Sequence, residues 1–304
     1  MKMLEEKKTR FMDLLRQGQM VFAPCVWDCY SAKAAEMSGF KAALLAGTPA
    51  AASLTGTPDL GLMTGDELIY LTERVASFSA IPILVDFDEG YGDSPLNTYR
   101  NVTRLVNAGA QGFTLDDGMG IRGCTRMSRA KNGVHPYELV SREHFAAKIR
   151  AALEAIRGTD CVLIARTEVR INEGFEEAIY RMKMAEDLGA HMTMINNVRG
   201  IEEARRVAEI CKGWKMYPDI TSHDGKSDAD LDELLRLNFN FVTMHFFERA
   251  AIAAMLRHGR ENFKNGNTVY SDTLYSGLTP EERAEISGMN GQKWLDWEKS
   301  FYQG

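Results

Sequence analysis

The sequence predicts an α/β fold, a (β/α)8 TIM barrel, with a helix before the barrel and a helical tail after it. Eight short apolar runs each end at polar, charged or glycine residues. Helical stretches that close at a glycine separate most of these runs, as Phe175–Leu188 does before Gly189. Apolar strands that alternate with helices indicate parallel strands covered on their outer face. Eight such strands favour a closed barrel, with an open doubly wound sheet as the alternative.

The predicted elements follow one another regularly along the chain. Strands are expected at 21–26, 42–46, 81–85, 112–115, 161–165, 192–195, 215–217 and 239–244, because each is a short apolar run. Helices are expected at 4–17, 31–38, 96–108, 142–156, 175–188, 202–211, 228–237, 248–257 and 280–301. No linker or low-complexity tract interrupts the pattern. We therefore expect one domain over 1–304, with the barrel at about 20–257 and the helical extension at about 260–304.

Composition narrows the function. Apolar residues make up 45% of the 304, which is enough for a packed core. The net charge of -6 offers no electrostatic basis for nucleic-acid binding. No apolar run reaches the length of a membrane span, and the charged N-terminus lacks the apolar centre of a signal peptide. Five cysteines without paired spacing indicate free thiols in a reducing compartment, so we expect a cytoplasmic protein.

The third apolar run opens into an acidic loop, residues 86–93, which holds four carboxylates and two glycines. Because the active site of a barrel lies at the carboxyl ends of its strands, the residues after each run become candidates. They are Asp28, Gly47, Thr48, Asp86, Asp88, Asp116, Asp117, Arg166, Glu168, Asn196, Asp219 and His245. Converging carboxylates without a His or Cys cluster favour Mg²⁺ or Mn²⁺. Arg166 beside such a cation suits a small carboxylate or phosphonate ligand.

Several of these candidates have a simpler structural interpretation. The acidic loop is alternatively a solvated turn, Asp28 a helix cap, and Arg166 one half of an interstrand ion pair. His245 is expected to be a satisfied histidine at the edge of the core rather than a catalyst. The loop 118–131 contains Cys124 between arginines and is expected to be a lid, with an ordinary surface loop as the alternative.

These residues resemble the isocitrate lyase / phosphoenolpyruvate mutase superfamily over roughly residues 20–255. The segment from Pro24 to Ser31 is similar to the family's Gly-x-Tyr-Asp-x-x-Ser-Ala block. Asp86–Gly92 reads Asp-Phe-Asp-Glu-Gly-Tyr-Gly and is similar to the family metal motif Asp-x-Asp-Thr-Gly-Tyr-Gly. Ala165–Glu168 resembles Ala-Arg-Thr-Asp, and shorter blocks at 38–42 and 56–61 match as well.

The resemblance implies a role for each matching position. Asp88 would ligate Mg²⁺, with Asp86 and Asp116 as further metal residues and Asp59 as a catalytic residue of the surrounding shell. Arg166 would hold a substrate carboxylate. The remaining substrate-binding positions would be Trp27, Ala46, Gly47, Thr48, Asn196 and Asp219. The family also implies a homotetramer that swaps its C-terminal helix between subunits, a role that suits the tail with its tryptophans.

The branches of the family differ at the lid. Lyases carry Lys-(Lys/Arg)-Cys-Gly-His, in which the cysteine donates a proton to the leaving enolate, and Cys124 falls on that cysteine. Its neighbours depart from the motif, and so do other pocket positions. The departures are Arg122, Gly123, Thr125, Arg126, Asp116, Glu89, Ala46, Asn196 and Asp219.

The resemblance nevertheless implies a Mg²⁺-dependent carbon–carbon lyase acting on a methylisocitrate- or dimethylmalate-like 2-hydroxy acid. Phosphonate mutase or hydrolase activity and oxaloacetate decarboxylase or hydrolase activity are the enzymatic alternatives. A barrel that only binds a dicarboxylate is the non-catalytic one.

Overall fold

The computed structural model describes residues 9–119, 138–220, 222–223, 226–275, 278–289 and 291–302. Eight parallel strands close into a barrel in which each strand pairs with its neighbours in chain order, and the predicted (β/α)8 fold is confirmed. The barrel strands are β1 (Val21–Val26), β2 (Ala43–Leu45), β3 (Ile83–Asp86), β4 (Gly112–Leu115), β5 (Val162–Thr167), β6 (Met192–Ile195), β7 (Trp214–Tyr217) and β8 (Phe239–Met244). Two two-residue ladders lie outside the barrel, at Gly118–Met119 with Glu138–Leu139 and at Ser222–His223 with Lys226–Ser227.

Helices follow the strands as the sequence predicts. They are α1 (Phe11–Arg16), α2 (Cys29–Met37), α3 (Gly47–Leu54), α4 (Gly65–Phe78), α5 (Pro95–Asn107), α6 (Arg142–Ala155), α7 (Arg170–Glu173), α8 (Phe175–Asp187), α9 (Gly200–Ile210), α10 (Leu231–Arg236), α11 (Phe247–Asn265), α12 (Val269–Tyr275), α13 (Pro280–Gly288) and α14 (Gly291–Ser300). Sequence patterns alone did not assign α3, α4, α7 and α12. The signal for α4 was present, because Thr64 and Glu67 form a capping box at its start.

Two sequence predictions about the tail need correction. The helix expected at 248–257 runs on to Asn265 and stops at Gly266, whose φ of 65° is left-handed. The single helix expected at 280–301 is divided into α13 and α14, and Met289 lies between them at φ 43°. A side chain other than glycine in that conformation ends a helix, so no continuous helix forms there.

Helix α1 covers the amino-terminal end of the barrel. Its Phe11 ring packs edge-on against Phe241 of β8, with the ring centroids 5.0 Å apart. Phe11, Leu14 and Leu15 join one core cluster with residues that face the barrel interior, such as Ile164. Because this end is filled with apolar side chains, only the carboxyl ends of the strands are available for a polar site.

By Cα proximity the chain divides into two compact units, the first ending at His245 and the second beginning at Phe246. The second unit holds helices α11 to α14. Among its described residues, no side chain of α11 or α14 is buried, and Phe263 and Phe301 are exposed. In the parts of the chain that the structure describes, no helix combines the length and the apolar character needed to cross a membrane.

A buried lysine on β7 makes a testable contribution to stability. The Lys215 ammonium donates to the carbonyl oxygens of Cys211 and Gly213 at 3.0 and 2.7 Å, and burial lowers its pKa from 10.5 to about 8. The unfolded chain therefore binds more protons than the folded chain between these values. The stabilising contribution is present above pH 10.5 and is lost as the pH falls through about 8.

Replacing Lys215 with methionine should remove that pH dependence. Between pH 8 and pH 10 the free energy of unfolding of the unmodified protein should rise by about 2 kcal/mol relative to Lys215→Met. Urea denaturation at both pH values measures the difference. Lys212→Met, which changes an exposed lysine three residues away, is the matched control and should run parallel to the unmodified protein. A Lys215→Met protein that also runs parallel would contradict the assignment.

Candidate active site

Arg166 is the centre of the polar cluster at the carboxyl ends of the strands. Near the end of β5, its Nη1 donates to Asp86 Oδ1 at 2.9 Å, and its Nε and Nη2 lie 2.6 and 2.5 Å from Glu168 Oε1. Asn196, just after β6, donates its amide to both Glu168 oxygens at 2.8 and 2.7 Å. The interstrand ion pair considered for Arg166 is therefore present, and it fixes the guanidinium plane at the barrel end.

The electrostatics of this cluster depend on burial. The Glu168 side chain is fully buried, and burial raises its pKa, while Arg166 opposes that rise and Asp116 adds to it. Burial of a carboxylate is costly unless cations and hydrogen bonds compensate it. Arg166 and Asn196 supply that compensation. Asn196, predicted to bind substrate, thus has its amide committed to Glu168.

The acidic loop, residues 86–93, begins where β3 ends. Asp86 accepts a hydrogen bond from the Thr114 hydroxyl of β4 at 2.8 Å. Asp88 is almost fully buried with a left-handed φ of 54°, and the Tyr91 hydroxyl donates to it at 3.0 Å. The backbone amide of Asp116 donates to the Asp88 carbonyl at 2.8 Å. The structure thus brings the loops after β3 and β4, with all three predicted metal residues, to the same end of the barrel.

Side chains from α5 and α6 hold four consecutive carbonyl groups of this loop. Asn101 donates to the carbonyl oxygens of residues 90 and 91 at 3.1 and 3.0 Å. Lys148 donates to the carbonyl of residue 92 at 3.1 Å, and His144 Nε2 lies 2.8 Å from that of residue 93. At Gly92 an added Cβ would come within 2.6 Å of the Asn97 Cβ, so only glycine fits there. The loop backbone is therefore fixed by polar side chains below it.

Lys148 also balances the charge of the site. Its side chain is only 1% exposed, and burial lowers its pKa, whereas the carboxylates of Glu89, Asp116 and Asp93 oppose that shift. Glu89 stands where the family motif has threonine, and its role could not be assigned from the sequence. The structure leaves Glu89 half-buried, with its charge acting on Lys148.

Asp116 and Asp117 are both buried but have different partners. Asp116 is buried and accepts from the Gly118 amide at 2.9 Å. Asp117 is buried against the Thr167 hydroxyl at 2.5 Å and Arg181 at 3.0 Å, and burial raises its pKa to about 6. Arg181 also donates to the Val140 carbonyl at 2.9 Å. Asp117 therefore ties β4 to β5 and α8, which is a structural role.

The predicted anion-binding segment after β2 is the start of α3. Helix α3 begins at Gly47, and its N-cap residue, Ala46, makes no side-chain hydrogen bond to the helix. The first backbone amides of α3 are therefore not capped by a side chain. Thr48 donates its hydroxyl to Asp59 at 2.8 Å, and a Cβ on Gly47 would lie 3.4 Å from the same carboxylate. The structure thus brings Asp59 together with Gly47 and Thr48.

The other predicted residues fall at or near strand ends. Trp27 follows β1 and is half-buried, and its amide donates to the Ser31 hydroxyl at 2.9 Å. Asp28 is the N-cap of α2, in a capping box with Ser31, so its simpler interpretation as a helix cap fits the geometry. Asp219 follows β7 and accepts from the His245 amide at 3.3 Å. Cys124 and most of the predicted lid, 118–131, lie outside the described residues.

The donor set at this end of the barrel fits Mg²⁺. Asp86, Asp88 and Asp116 offer carboxylate oxygens there, and Asp88 and Asp116 are buried. Within the described ranges, no group of three or more His, Cys, Asp or Glu side chains is arranged to hold a metal ion. Mg²⁺ usually keeps several waters and takes one or two carboxylates plus substrate oxygens, so it does not require such a cage. Asp86, Asp88 and Asp116 are the residues that would hold it.

Asn101, Lys148 and Arg181 were missed by sequence reasoning, and they share one signal. Each occupies a position in an apolar helical stripe that faces the barrel. Asn101 lies between Thr98 and Val102 on α5, Lys148 between Phe145 and Ile149 on α6, and Arg181 between Ala178 and Met182 on α8. A polar residue inside such a stripe is buried and needs a partner, which here is the strand-end network.

The chain is similar in sequence to one protein family and to several known proteins. The family described as phosphoenolpyruvate phosphomutase matches residues 11–263. The petal death protein of Dianthus caryophyllus is 31% identical over 97% of this chain and 89% of its own length. The carboxyvinyl-carboxyphosphonate phosphorylmutase of Arabidopsis thaliana is 35% identical over 97% of this chain and 84% of its own. The 2-methylisocitrate lyase of Escherichia coli is 33% identical over 73% and 72% of the two chains.

Two solved structures share the fold over nearly the whole chain. An oxaloacetate acetylhydrolase in complex with 3,3-difluorooxalacetate superposes with a TM-score of 0.82 at 25% identity, covering 96% of this chain and 97% of the other. A 2,3-dimethylmalate lyase superposes with a TM-score of 0.78 at 26% identity, covering 96% and 99%.

Proposed function

Because the chain belongs to the phosphoenolpyruvate phosphomutase family, whose members include lyases and phosphomutases, it is an enzyme, and we propose that it is a Mg²⁺-dependent carbon–carbon lyase. Its substrate would be a 2-hydroxy di- or tricarboxylate of the methylisocitrate or dimethylmalate type. The products would be a 2-oxo acid and a carboxylate. The observation that carries the proposal is Arg166, held by Asp86 and Glu168 at the same barrel end as the buried carboxylates Asp88 and Asp116.

The carboxylate-rich side of the site defines where the oxo-acid end of the ligand would bind. Asp86, Asp88 and Asp116 would hold the cation. Bound there, Mg²⁺ would supply Lewis-acid stabilisation of negative charge on the ligand oxygens. The acidic loop needs no large rearrangement for this, because Asn101 and Lys148 already fix its backbone.

Two anion-binding groups would orient the carboxylates of the ligand. Arg166 is fixed by its two carboxylate partners, so little side-chain entropy is lost when it binds a substrate carboxylate in bidentate fashion. The first amides of α3, at Gly47 and Thr48, offer the positive end of a helix to the other end of the 2-oxo acid. Trp27 and Asp219, at the ends of β1 and β7, would complete the pocket wall.

The proposed reaction also needs a base and an acid for its two proton transfers. The substrate hydroxyl loses its proton to a base, its O–H electrons form the carbonyl group, and the carbon–carbon bond electrons pass to the leaving carboxylate as an enolate. Cys124 would then donate a proton to the enolate carbon. Cys124 takes this role because it stands in register with the lyase cysteine of the family motif.

A phosphonate-acting mutase is the second candidate. The observation in its favour is the 35% identity to the carboxyvinyl-carboxyphosphonate phosphorylmutase, over 97% of this chain. A phosphonate would use the same cation site and the same arginine, because it is also an anion that offers two oxygens to a guanidinium group. The third candidate is the cleavage or decarboxylation of oxaloacetate. Its substrate is a 2-oxo diacid, which the same cation site and the same arginine would bind.

We also propose that the protein is a homo-oligomer and is located in the cytoplasm. Trp294 and Trp297 on α14 and Phe301 just after it form a continuous aromatic row, with ring centroids 5.8 and 5.2 Å apart, and Trp294 and Phe301 are exposed. Such a row is suited to packing against a second copy of the chain, as in a homotetramer with swapped C-terminal helices. The four cysteines among the described residues are free, which suits the reducing cytoplasm.

A substrate panel tests the proposed reaction. The protein is incubated with Mg²⁺ and 2-hydroxy di- and tricarboxylates, phosphonopyruvate or oxaloacetate, and the products are identified by mass spectrometry. We expect a 2-oxo acid and a carboxylate to be released from a 2-hydroxy acid and not without divalent metal. Phosphate release or rearrangement of the phosphonate alone would favour the second candidate. Turnover of none of these compounds would overturn the enzymatic assignment to this substrate class.

A further inference from the structure

Cys25, His245 and Asp219 lie on three adjacent strand ends, away from the acidic loop. In the register of β1 and β8, Pro24 is opposite Met244, so Cys25 and His245 are the next neighbours along the two strands. In the register of β8 and β7, Val242 is opposite Tyr217, which places Asp219 beside the end of β8. His245 Nδ1 lies 3.5 Å from Asp219 Oδ1, and its backbone amide donates to the same oxygen at 3.3 Å.

The side chains of this site are buried to different extents. Cys25 belongs to the core cluster that fills the barrel interior and is only 4% exposed. The His245 side chain is 38% exposed and is hydrogen-bonded to Cys25. A thiol at the top of the core, an imidazole beside it and a carboxylate behind the imidazole repeat the order of groups that activates cysteine nucleophiles.

We infer that Cys25, His245 and Asp219 form a second thiol site, in which Cys25 is the nucleophile that captures small uncharged electrophiles. His245 supplies the neighbouring positive charge, and Asp219 holds the imidazole by its Nδ1 edge. The carboxylate also makes the site unfavourable for an anionic reagent, so an uncharged electrophile fits best. Asp219 also belongs to the proposed pocket wall, but the thiol of this site is not used in the proposed lyase reaction, in which Cys124 is the proton donor.

The other described thiols provide a contrast. Burial raises the pKa of Cys161 to about 12 and that of Cys211 to about 11. Cys29 is more exposed than Cys25, yet burial and the Asp28 carboxylate raise its pKa. For His245, burial lowers the pKa, but Cys25 and Asp219 outweigh it and raise the pKa to about 10. The histidine therefore carries its charge at neutral pH, beside the Cys25 sulfur.

Alkylation by iodoacetamide gives a balanced chemical step. The Cys25 sulfur forms a bond to the methylene carbon, the carbon–iodine bond breaks, and iodide leaves with the electron pair. No oxidant or further reactant is needed. The thiol proton is lost to solvent, and the product is a neutral thioether beside the unchanged pair of His245 and Asp219.

The test follows alkylation of each cysteine in the full-length protein by peptide mass spectrometry at neutral pH. We expect Cys25 to react at least about tenfold faster than Cys29, although Cys25 is the less exposed thiol. In His245→Gln the rate at Cys25 should fall by about tenfold, while the rate at Cys29 stays the same. Cys29 thus serves as the internal control for folding and reagent access.

Two results would overturn the inference. In the unmodified protein, Cys25 reacting no faster than Cys29 would show that the thiol is not activated, and this comparison needs no variant. In a folded His245→Gln protein, an unchanged rate at Cys25 would show that the histidine is not its partner. Turnover of the lyase substrate by either protein bears on the proposed reaction and not on this site.

Discussion

Replacing Arg166 with lysine is expected to lower kcat/KM for the substrate identified in the panel by about a thousandfold. The guanidinium contacts Asp86 and Glu168 at once, through three different nitrogens. A single ammonium group cannot reach both carboxylates and still present a planar edge to a substrate carboxylate. The loss should appear in kcat as well as KM, because the group would position the ligand for bond cleavage.

Arg205→Lys is the matched control for this variant. Arg205 also pairs with a glutamate, Glu233, but on the surface of the protein, so its replacement should leave kcat/KM within about twofold. Steady-state kinetics on both variants, with thermal unfolding to confirm folding, measure the difference. Full turnover by a folded Arg166→Lys protein would remove Arg166 from the substrate site.

Replacing Lys148 with methionine should lower the free energy of unfolding by about 3 kcal/mol, since it removes one member of a buried charge cluster. The Gly92 carbonyl would lose its donor, and Asp116, Glu89 and Asp93 would lose their cation. The acidic loop should then be less fixed, and the protein should need a higher Mg²⁺ concentration for half-maximal activity. Urea denaturation and a Mg²⁺ titration of activity measure the two effects.

Lys183→Met supplies the comparison for Lys148. Lys183 pairs with Asp187 one helical turn away on the exposed face of α8, so its loss should leave the free energy of unfolding nearly unchanged. Equal effects of the two substitutions would contradict a specific role for Lys148. A Lys148→Met protein that loses stability but keeps its Mg²⁺ requirement would limit the role of Lys148 to folding.

The fold and the location of the site could be predicted from the sequence because both depend on local patterns. Each strand is a short apolar run, and the polar residue that follows it must lie at the carboxyl end of a parallel barrel. That reasoning placed Asp86, Asp116 and Arg166 at one end of the molecule. The pairing of Arg166 with Asp86 depends on the distance between strands that are not sequence neighbours, so spacing alone could suggest an ion pair but not choose the partner.

The supporting polar residues were harder to predict for a related reason. Lys148 and Asn101 sit in helices whose other inward residues are apolar, and a helical pattern does not show which backbone groups its side chains will reach. Their partners are carbonyl oxygens of the acidic loop, and carbonyl groups carry no sequence signal. The role of Glu89 was left open in the same way, and the pairing of Asn196, a predicted substrate-binding residue, with Glu168 could not be predicted, because both depend on contacts made only in the folded barrel.

We propose that the acidic loop and Arg166 form one site for Mg²⁺ and a 2-oxo acid. Calorimetric titration of oxalate, a stable planar dianion that mimics such a ligand, tests it with and without Mg²⁺. We predict binding only when Mg²⁺ is present, weakened more than about a hundredfold in Asp88→Asn and unchanged in Asp93→Asn, whose carboxylate is exposed on the same loop. Oxalate binding of equal strength without Mg²⁺, or in a folded Asp88→Asn protein, would contradict the account.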